Sequence, residues 1–260
     1  MALCDYDVRD GVALLTLNNP PVNAYSYEMF RDLDEAVLKA RFDPAVHVLV
    51  LTGKGEKFFC AGADIEMLKR ADPTYKYYFC LHANETLMRL EQTPKLVIAA
   101  INGHCVGGGL EVALAADIRI ARAEAGQIGL PEVKLGVLPG TGGTQRLGRL
   151  VGKSKAMELI VEAKTLTVAE AKEWGVVNKV FEKDAFLEKV LEYARSFCPP
   201  GKAAKAVGNV KRALQSGLEM SFGEGLALER ELQAELFASD DAKEGLAAFV
   251  EKRNPVFKAR

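Results

Sequence analysis

The chain is poor in the residues that hold metals. Its 260 residues contain three histidines, His47, His82 and His104, which are far apart and lack neighbouring ligands, so the sequence argues against a metal site. The five cysteines (Cys4, Cys60, Cys80, Cys105, Cys198) form no C-x-x-C pair and no regular framework, and read as reduced thiols. No apolar run is long enough to span a bilayer, and the N-terminus carries acids where a signal or transit peptide carries bases. The expectation is a cytoplasmic protein with no membrane partner. Charge of either sign is not in excess: 34 Lys+Arg against 35 Asp+Glu leave no global field to draw nucleic acid. A local basic site for a phosphorylated ligand stays open. Familiar catalytic motifs are missing too. Without G-x-S-x-G the usual serine hydrolase is excluded. Gly148 to Ser154 imitates a phosphate-binding loop but has three residues between its glycines where the motif needs four. Gly140 to Gly143 lacks the third glycine at dinucleotide spacing, and Glu162 falls in a helical pattern instead of at a strand end.

What the chain does have is a core and a rhythm. Hydrophobic residues make up 49%, enough for a globular fold with a substantial interior. Tyr6–Val8 and Val12–Leu17 alternate like paired strands about a turn at Asp10-Gly11. Ser26 can cap a helix whose apolar residues Met29, Leu33, Ala36, Val37 and Ala40 recur at helical spacing. Val48–Thr52 and Leu96–Ile101 are apolar throughout and read as buried strands, each followed by a glycine-containing loop, 53–64 and 103–109. Helices are expected at 74–91 and 110–116, with a return to strand at 118–121. Strand–loop–helix units recur, which argues α/β. After Val177 the chain turns helical, with segments near 184–197, 202–216, 221–238 and 240–252. The apolar faces there (Leu226, Leu232, Leu236, Phe237; Leu246, Phe249, Val250) suit either packing within the chain or a subunit interface.

The informative anomalies are two carboxylates in apolar surroundings. Glu111 is the one charge in 106–116, and nothing on its own turn neutralises it. Glu132 stands among apolar residues just after Pro131. Burying an unpaired carboxylate costs several kcal/mol or forces it to take up a proton. Each alone reads more readily as a partly exposed Glu, or one paired with a base such as Lys134. Two together, one beside a triple glycine, suggest proton transfer at neutral pH. Gly107–Gly109 bares the backbone where a helix begins, so unpaired N–H groups and the positive helix end can face a ligand oxygen. Gly108 precedes Glu111 by three residues and shares its helix face, about 4.5 Å away along the axis. The loop Phe59–Ile65 can supply a second N–H, and two donors converging on one oxygen make an oxyanion hole. Tight turns and close helix–strand packing are the commoner use of such glycines.

These residues also resemble a family. F-C-A-G-A-D-I (59–65), N-G-H-C-V-G-G-G-L-E (102–111), P-E-V-K-L-G (131–136) and P-G-T-G-G-T-Q-R-L (139–147) closely resemble the crotonase (enoyl-CoA hydratase/isomerase) superfamily, in its order and spacing. F-V-E-K-R (249–253) is similar to its C-terminal signature. The resemblance implies a spiral of ββα units over 1–198 and a helical trimerisation region over 199–260, giving a trimer or a dimer of trimers. It implies an acyl-CoA thioester as substrate, with coenzyme A part of that substrate and no separate cofactor. The thioester oxygen would be held by the N–H groups of Ala63 and Gly108. Glu111 would activate water for attack at Cβ and Glu132 would protonate Cα. Ala24, Lys57, Ala61, Ala63, Asp64, Ile65, Gly108 and Lys252 would contact the substrate and its coenzyme A, Lys252 from the same or a neighbouring subunit.

Both acids being present points to hydration of a trans-2-enoyl-CoA, as in fatty-acid β-oxidation. The alternatives are an enoyl-CoA isomerase, a hydratase of a cyclic or branched acyl-CoA, an RNA-binding homologue and a catalytically dead assembly subunit. The RNA-binding reading wants a Lys-rich helix face, whereas 25–43 carries only Lys39, Arg31 and Arg41 against several acids. Three positions depart from the family's habit. Tyr25-Ser26 follow Asn23-Ala24 where an aliphatic residue is frequent. Leu130 stands before Pro131 where a polar residue is frequent, which leaves Glu132 drier. Aromatic residues crowd Tyr75–Phe79, where the family builds its acyl pocket and where ordinary core packing is the other reading.

Overall fold

The computed structural model describes residues 2–259. Strands β1 (Cys4–Arg9) and β2 (Val12–Leu17) form the expected antiparallel hairpin. Helix α1 (Tyr27–Phe42) starts at Ser26, whose hydroxyl accepts from Met29 N, and buries the apolar positions read from its spacing. Two units then repeat one plan: β3 (Val48–Gly53), β4 (Phe58–Cys60), α2 (Ile65–Arg70) and α3 (Pro73–Gln92), followed by β5 (Leu96–Ile101), β6 (His104–Val106) and α4 (Gly108–Leu114). The third unit is β7 (Ile118–Arg122), β8 (Ile128–Gly129), a single 3-10 turn (Glu132–Leu135), α5 (Gly143–Val151) and α6 (Lys153–Val161). β9 (Thr165–Leu166), α7 (Val168–Glu173), β10 (Lys179–Phe181) and α8 (Phe186–Arg195) complete the core, and α9 (Ala204–Gly217), α10 (Phe222–Phe237) and α11 (Asp240–Glu251) form the tail.

The first strand of each unit enters a six-stranded sheet of order β1-β2-β3-β5-β7-β10, parallel apart from the hairpin; the second strands build a four-stranded sheet, β4-β6-β8-β9. This is the crotonase-type spiral that the motifs implied. The unbroken apolar runs of β3 and β5 have a simple cause. Leu49, Leu51, Val97 and Ala99 face the larger core under α1 and α3, while Val48, Val50, Ile98 and Ala100 face a second core covered by α8, so neither face meets water. The loops expected at 53–64 and 103–109 contain β4 and β6. Strands of three residues are too short for a period-two pattern to show. The helix expected from Leu110 begins at Gly108, where poor helix propensity hid its first turn. Among the described residues, no helix is long and apolar enough to cross a membrane.

In the tail, α9 seats against the core. A methyl on Gly208 would collide with the Pro94 carbonyl, and Lys211 reaches in to Asp117 at 2.9 Å. Burial pushes the Asp117 carboxyl up and the Lys211 ammonium down, so desolvation outweighs the mutual attraction of this pair. The outer faces behave differently. Leu218, Phe222, Phe249 and Val250 are each at least 80% exposed, so the chain alone does not bury them. An open groove of about 410 Å³ runs between α9 and α10, lined by Val210, Leu214 and Leu226.

Candidate active site

β4, β6 and β8 are parallel neighbours in the small sheet, so their carboxyl ends open on one side, about 5 Å apart. Ala63, Gly108 and Glu132 all follow closely after these three ends. Strand order alone therefore brings together groups distant in sequence, where ligands of parallel sheets bind.

The two N–H groups are free. Tyr25 N donates to Gly62 O at 2.9 Å and Asp64 N to Tyr25 O at 3.0 Å, a parallel bridge that turns Ala63 N–H outward. Gly108 is the first residue of α4, so its N–H has no partner inside the helix. Neither N–H finds an acceptor among the described residues. The two loops touch: a methyl on Gly62 would stand 3.1 Å from Gly108 N. Gly107 takes φ 58° and ψ −136°, a conformation only glycine adopts readily, and this bends the chain from β6 into α4.

Glu111 is 1% exposed yet fully satisfied. Its Oε1 accepts from Thr141 N at 2.8 Å and from Gly143 N at 2.7 Å, and its Oε2 accepts from the Thr141 hydroxyl. Among the described residues no base pairs with it; two backbone N–H groups and one hydroxyl of the 139–143 loop do the work. That loop is itself pinned by Arg146, which donates to the Thr141 carbonyl at 2.9 Å while paired with Glu91 at 2.7 Å. Tyr25 also lies buried here, its phenol 3.4 Å from Thr141 Oγ1 and its ring filling the space that a side chain at residue 108 would need. Burial, then the charge of Glu111, pushes the Tyr25 phenol well above its usual range.

Glu132 is the opposite case. Its Oε2 is buried with no partner, and a methyl on Gly107 would stand 3.2 Å from its Oε1. Desolvation, helped by the charge of Glu111, pushes its carboxyl from 4.5 up to about 7, against a backbone hydrogen bond and the nearby Lys76. Leu130, which is fully buried, supplies part of the dry setting. Two carboxyls near enough for the charge of one to act on the other thus have contrasting surroundings.

The other expected contacts divide. Ala24, Ala61, Ala63, Asp64 and Ile65 gather beside the small sheet, joined by Asn23, whose amide donates to the carbonyls of Lys54 and Phe58 at 3.0 and 2.9 Å. Ala24 O accepts from the Asn19 amide and Ala61 N donates to Val22 O. The Asp64 carboxylate caps α2 by accepting from Glu66 N and Met67 N, so that side chain is already committed. Ile65 opens the helix half-exposed. Lys57 is exposed at the start of β4, its ammonium over the Phe58 ring. Lys252 is not tied to the site within the chain. It ends α11 with φ 56°, and no hydrogen bond or ion pair among the described residues ties it to the loops around Glu111. Of Tyr75–Phe79, Phe79 is core, stacked 5.8 Å from Tyr25, whereas Tyr77 and Tyr78 are exposed. Sequence reasoning gave no role to Thr141, Gly143, Arg146 or Lys76. The glycines of 139–143 were the one available signal for the first two.

The profile of the family described as Enoyl-CoA hydratase/isomerase matches residues 7–260. The chain belongs to the enoyl-CoA hydratase/isomerase family. A short-chain-enoyl-CoA hydratase of Clostridium acetobutylicum is 40% identical over 243 residues, 93% of this chain and 92% of that protein. The structure of an enoyl-CoA hydratase from Geobacillus kaustophilus superposes with TM-score 0.97 at 46% identity, covering 100% of this chain and 98% of that one. That of an enoyl-CoA hydratase from Bacillus anthracis superposes with TM-score 0.94 at 35% identity, covering 99% and 100%. The protein is therefore an enzyme of the hydratase/isomerase family.

The raised Glu132 carboxyl has a consequence for stability. A group that binds its proton more tightly when folded contributes stability that is fully present below its unfolded pKa, near 4.5, and is lost as pH rises through about 7. Wild type should lose ground to Glu132→Gln as pH climbs through that window. Thermal unfolding of both proteins from pH 4.5 to 8 checks this; a difference in Tm that does not change with pH would place the Glu132 carboxyl in ordinary solvent.

Proposed function

We propose that this enzyme adds water across the 2,3 double bond of a trans-2-enoyl-CoA to give a 3-hydroxyacyl-CoA. The observation that carries the reading is the pair of carboxyls in contrasting settings beside two unclaimed N–H groups. The thioester oxygen accepts from Ala63 N–H and Gly108 N–H, which draws electron density from C3. Each such donor is typically worth about 2.7–4 kcal/mol in the transition state. Glu111, whose oxygens are oriented by Thr141 and Gly143, takes a proton from water as the hydroxide adds to C3. The π electrons pass into the thioester enolate, and Glu132 gives its proton to C2. Product leaves with Glu111 protonated and Glu132 ionised, and exchange with solvent restores both. A carboxyl with pKa about 7 suits the donor, since it carries a proton at neutral pH and gives it up readily.

Lys57 is the candidate for the phosphates of coenzyme A. Lys252 is the second candidate, reaching them from a neighbouring subunit, and the exposed apolar faces of α9–α11 support a trimer or a dimer of trimers in which this happens. The cytoplasm is the compartment this reading favours. Light scattering across a broad concentration range should give a trimer or hexamer; a monomer throughout would remove both the assembly and the Lys252 contact.

Glu111→Gln and Glu132→Gln should each lower kcat for crotonyl-CoA hydration by about 10²-fold or more, with thioester affinity largely kept. The double variant should lose much less than the product of the two. An isomerase needs only one carboxyl to shuttle the proton between carbons, so near-wild-type hydration in either single variant would contradict the two-carboxylate reaction.

A further inference from the structure

We propose that Lys76 is a specificity residue, selecting an enoyl-CoA whose acyl chain ends in a carboxylate. The inference rests on the reaction proposed above and names its substrate class. Lys76 lies in the first turn of α3, half-buried. Its ammonium sits 5.4 Å from the centre of the Phe79 ring and 3.9 Å from where a methyl on Gly140 would stand. Gly140 immediately precedes Thr141, which holds Glu111. Lys76 is thus beside the loop that holds Glu111, and close enough to Glu132 for its charge to be felt there. In the binding mode proposed above, with C2 by Glu132 and C3 by Glu111, the carbons beyond C3 continue past Glu111 toward the loop that Lys76 adjoins.

The lysine has no partner there. Among the described residues its ammonium makes no hydrogen bond and no ion pair. Asp72, the acid nearest in sequence, spends its carboxylate capping α3 on Tyr75 N at 2.7 Å. The other cation of this corner, Arg146, is already taken by Glu91. A half-buried ammonium with no partner in the chain is available to an anion on the ligand. It also works against the chemistry while unmatched, because its charge favours loss of the Glu132 proton. A carboxylate on the substrate cancels that field when the proton is needed.

Two thioesters with five acyl carbons separate this from a role for Lys76 toward coenzyme A, which both carry. They are trans-glutaconyl-CoA, ending in carboxylate, and trans-2-pentenoyl-CoA, ending in methyl. Wild type should favour glutaconyl-CoA by about 10-fold or more in kcat/KM, the usual scale of a charge-assisted contact. Lys76→Met should abolish or reverse that ratio and Lys76→Arg should keep most of it; a ratio does not depend on how much of the variant is folded. Calorimetric Kd values for the saturated pair, glutaryl-CoA and pentanoyl-CoA, test the same preference without chemistry. A lysine-dependent Kd ratio in an enzyme that hydrates neither substrate would therefore sink the hydration reading alone. No wild-type preference in either measurement, or a preference that survives Lys76→Met, would overturn the assignment.

Discussion

Everything at this site depends on how closely the backbone of Gly107–Gly109 approaches its neighbours. A methyl on Gly109 would collide with the Cys60 carbonyl, and one on Gly108 with the ring of Tyr25. Because no side chain intervenes, β6 can turn into α4 directly against the loop that follows β4. The first N–H of α4 then opens beside Ala63 N–H. Backbone geometry, with no charged side chain, makes the polar end of the site. The same approach sets the position of Glu111, one helical turn further on and facing the same way.

The proposed chemistry rests on the unequal settings of two identical groups. Glu111 is deeper, but the loop at 139–143 gives it two backbone N–H groups and a hydroxyl. Glu132 is shallower and drier, with one oxygen unpartnered. Depth alone does not set the contrast; the donors that reach each carboxylate do. Other residues hold the arrangement in place: Arg146 and Glu91 fix the loop, and Tyr25 fills the wall behind Gly108.

The long elements were legible in the sequence because their cause is local. Apolar runs marked β3 and β5, and Ser26 with a helical period marked α1. Glu111 and Glu132 stood out because charge in an apolar stretch must be accounted for wherever it lies. β4, β6 and β8 were not legible, since two or three residues carry no period. The family's motifs supplied what periodicity lacked, namely that the loop after β4 and the start of α4 meet. The role of Thr141 and Gly143 was hidden for another reason. A backbone N–H has no signature in sequence, and the contact closes across 30 and 32 residues. Lys76 was invisible as one more lysine until α3 was seen to turn it inward.

The most direct test of the central claim is the vibrational frequency of the thioester carbonyl in the bound state. Infrared difference spectra with a thioester labelled with ¹³C at its carbonyl isolate that band. Two N–H groups converging on the oxygen weaken the C=O bond, so the account predicts a band shifted to lower wavenumber than for the same thioester in water. A bound carbonyl at or above its frequency in water would mean that Ala63 and Gly108 do not hold the oxygen, and the mechanism built on them would fall.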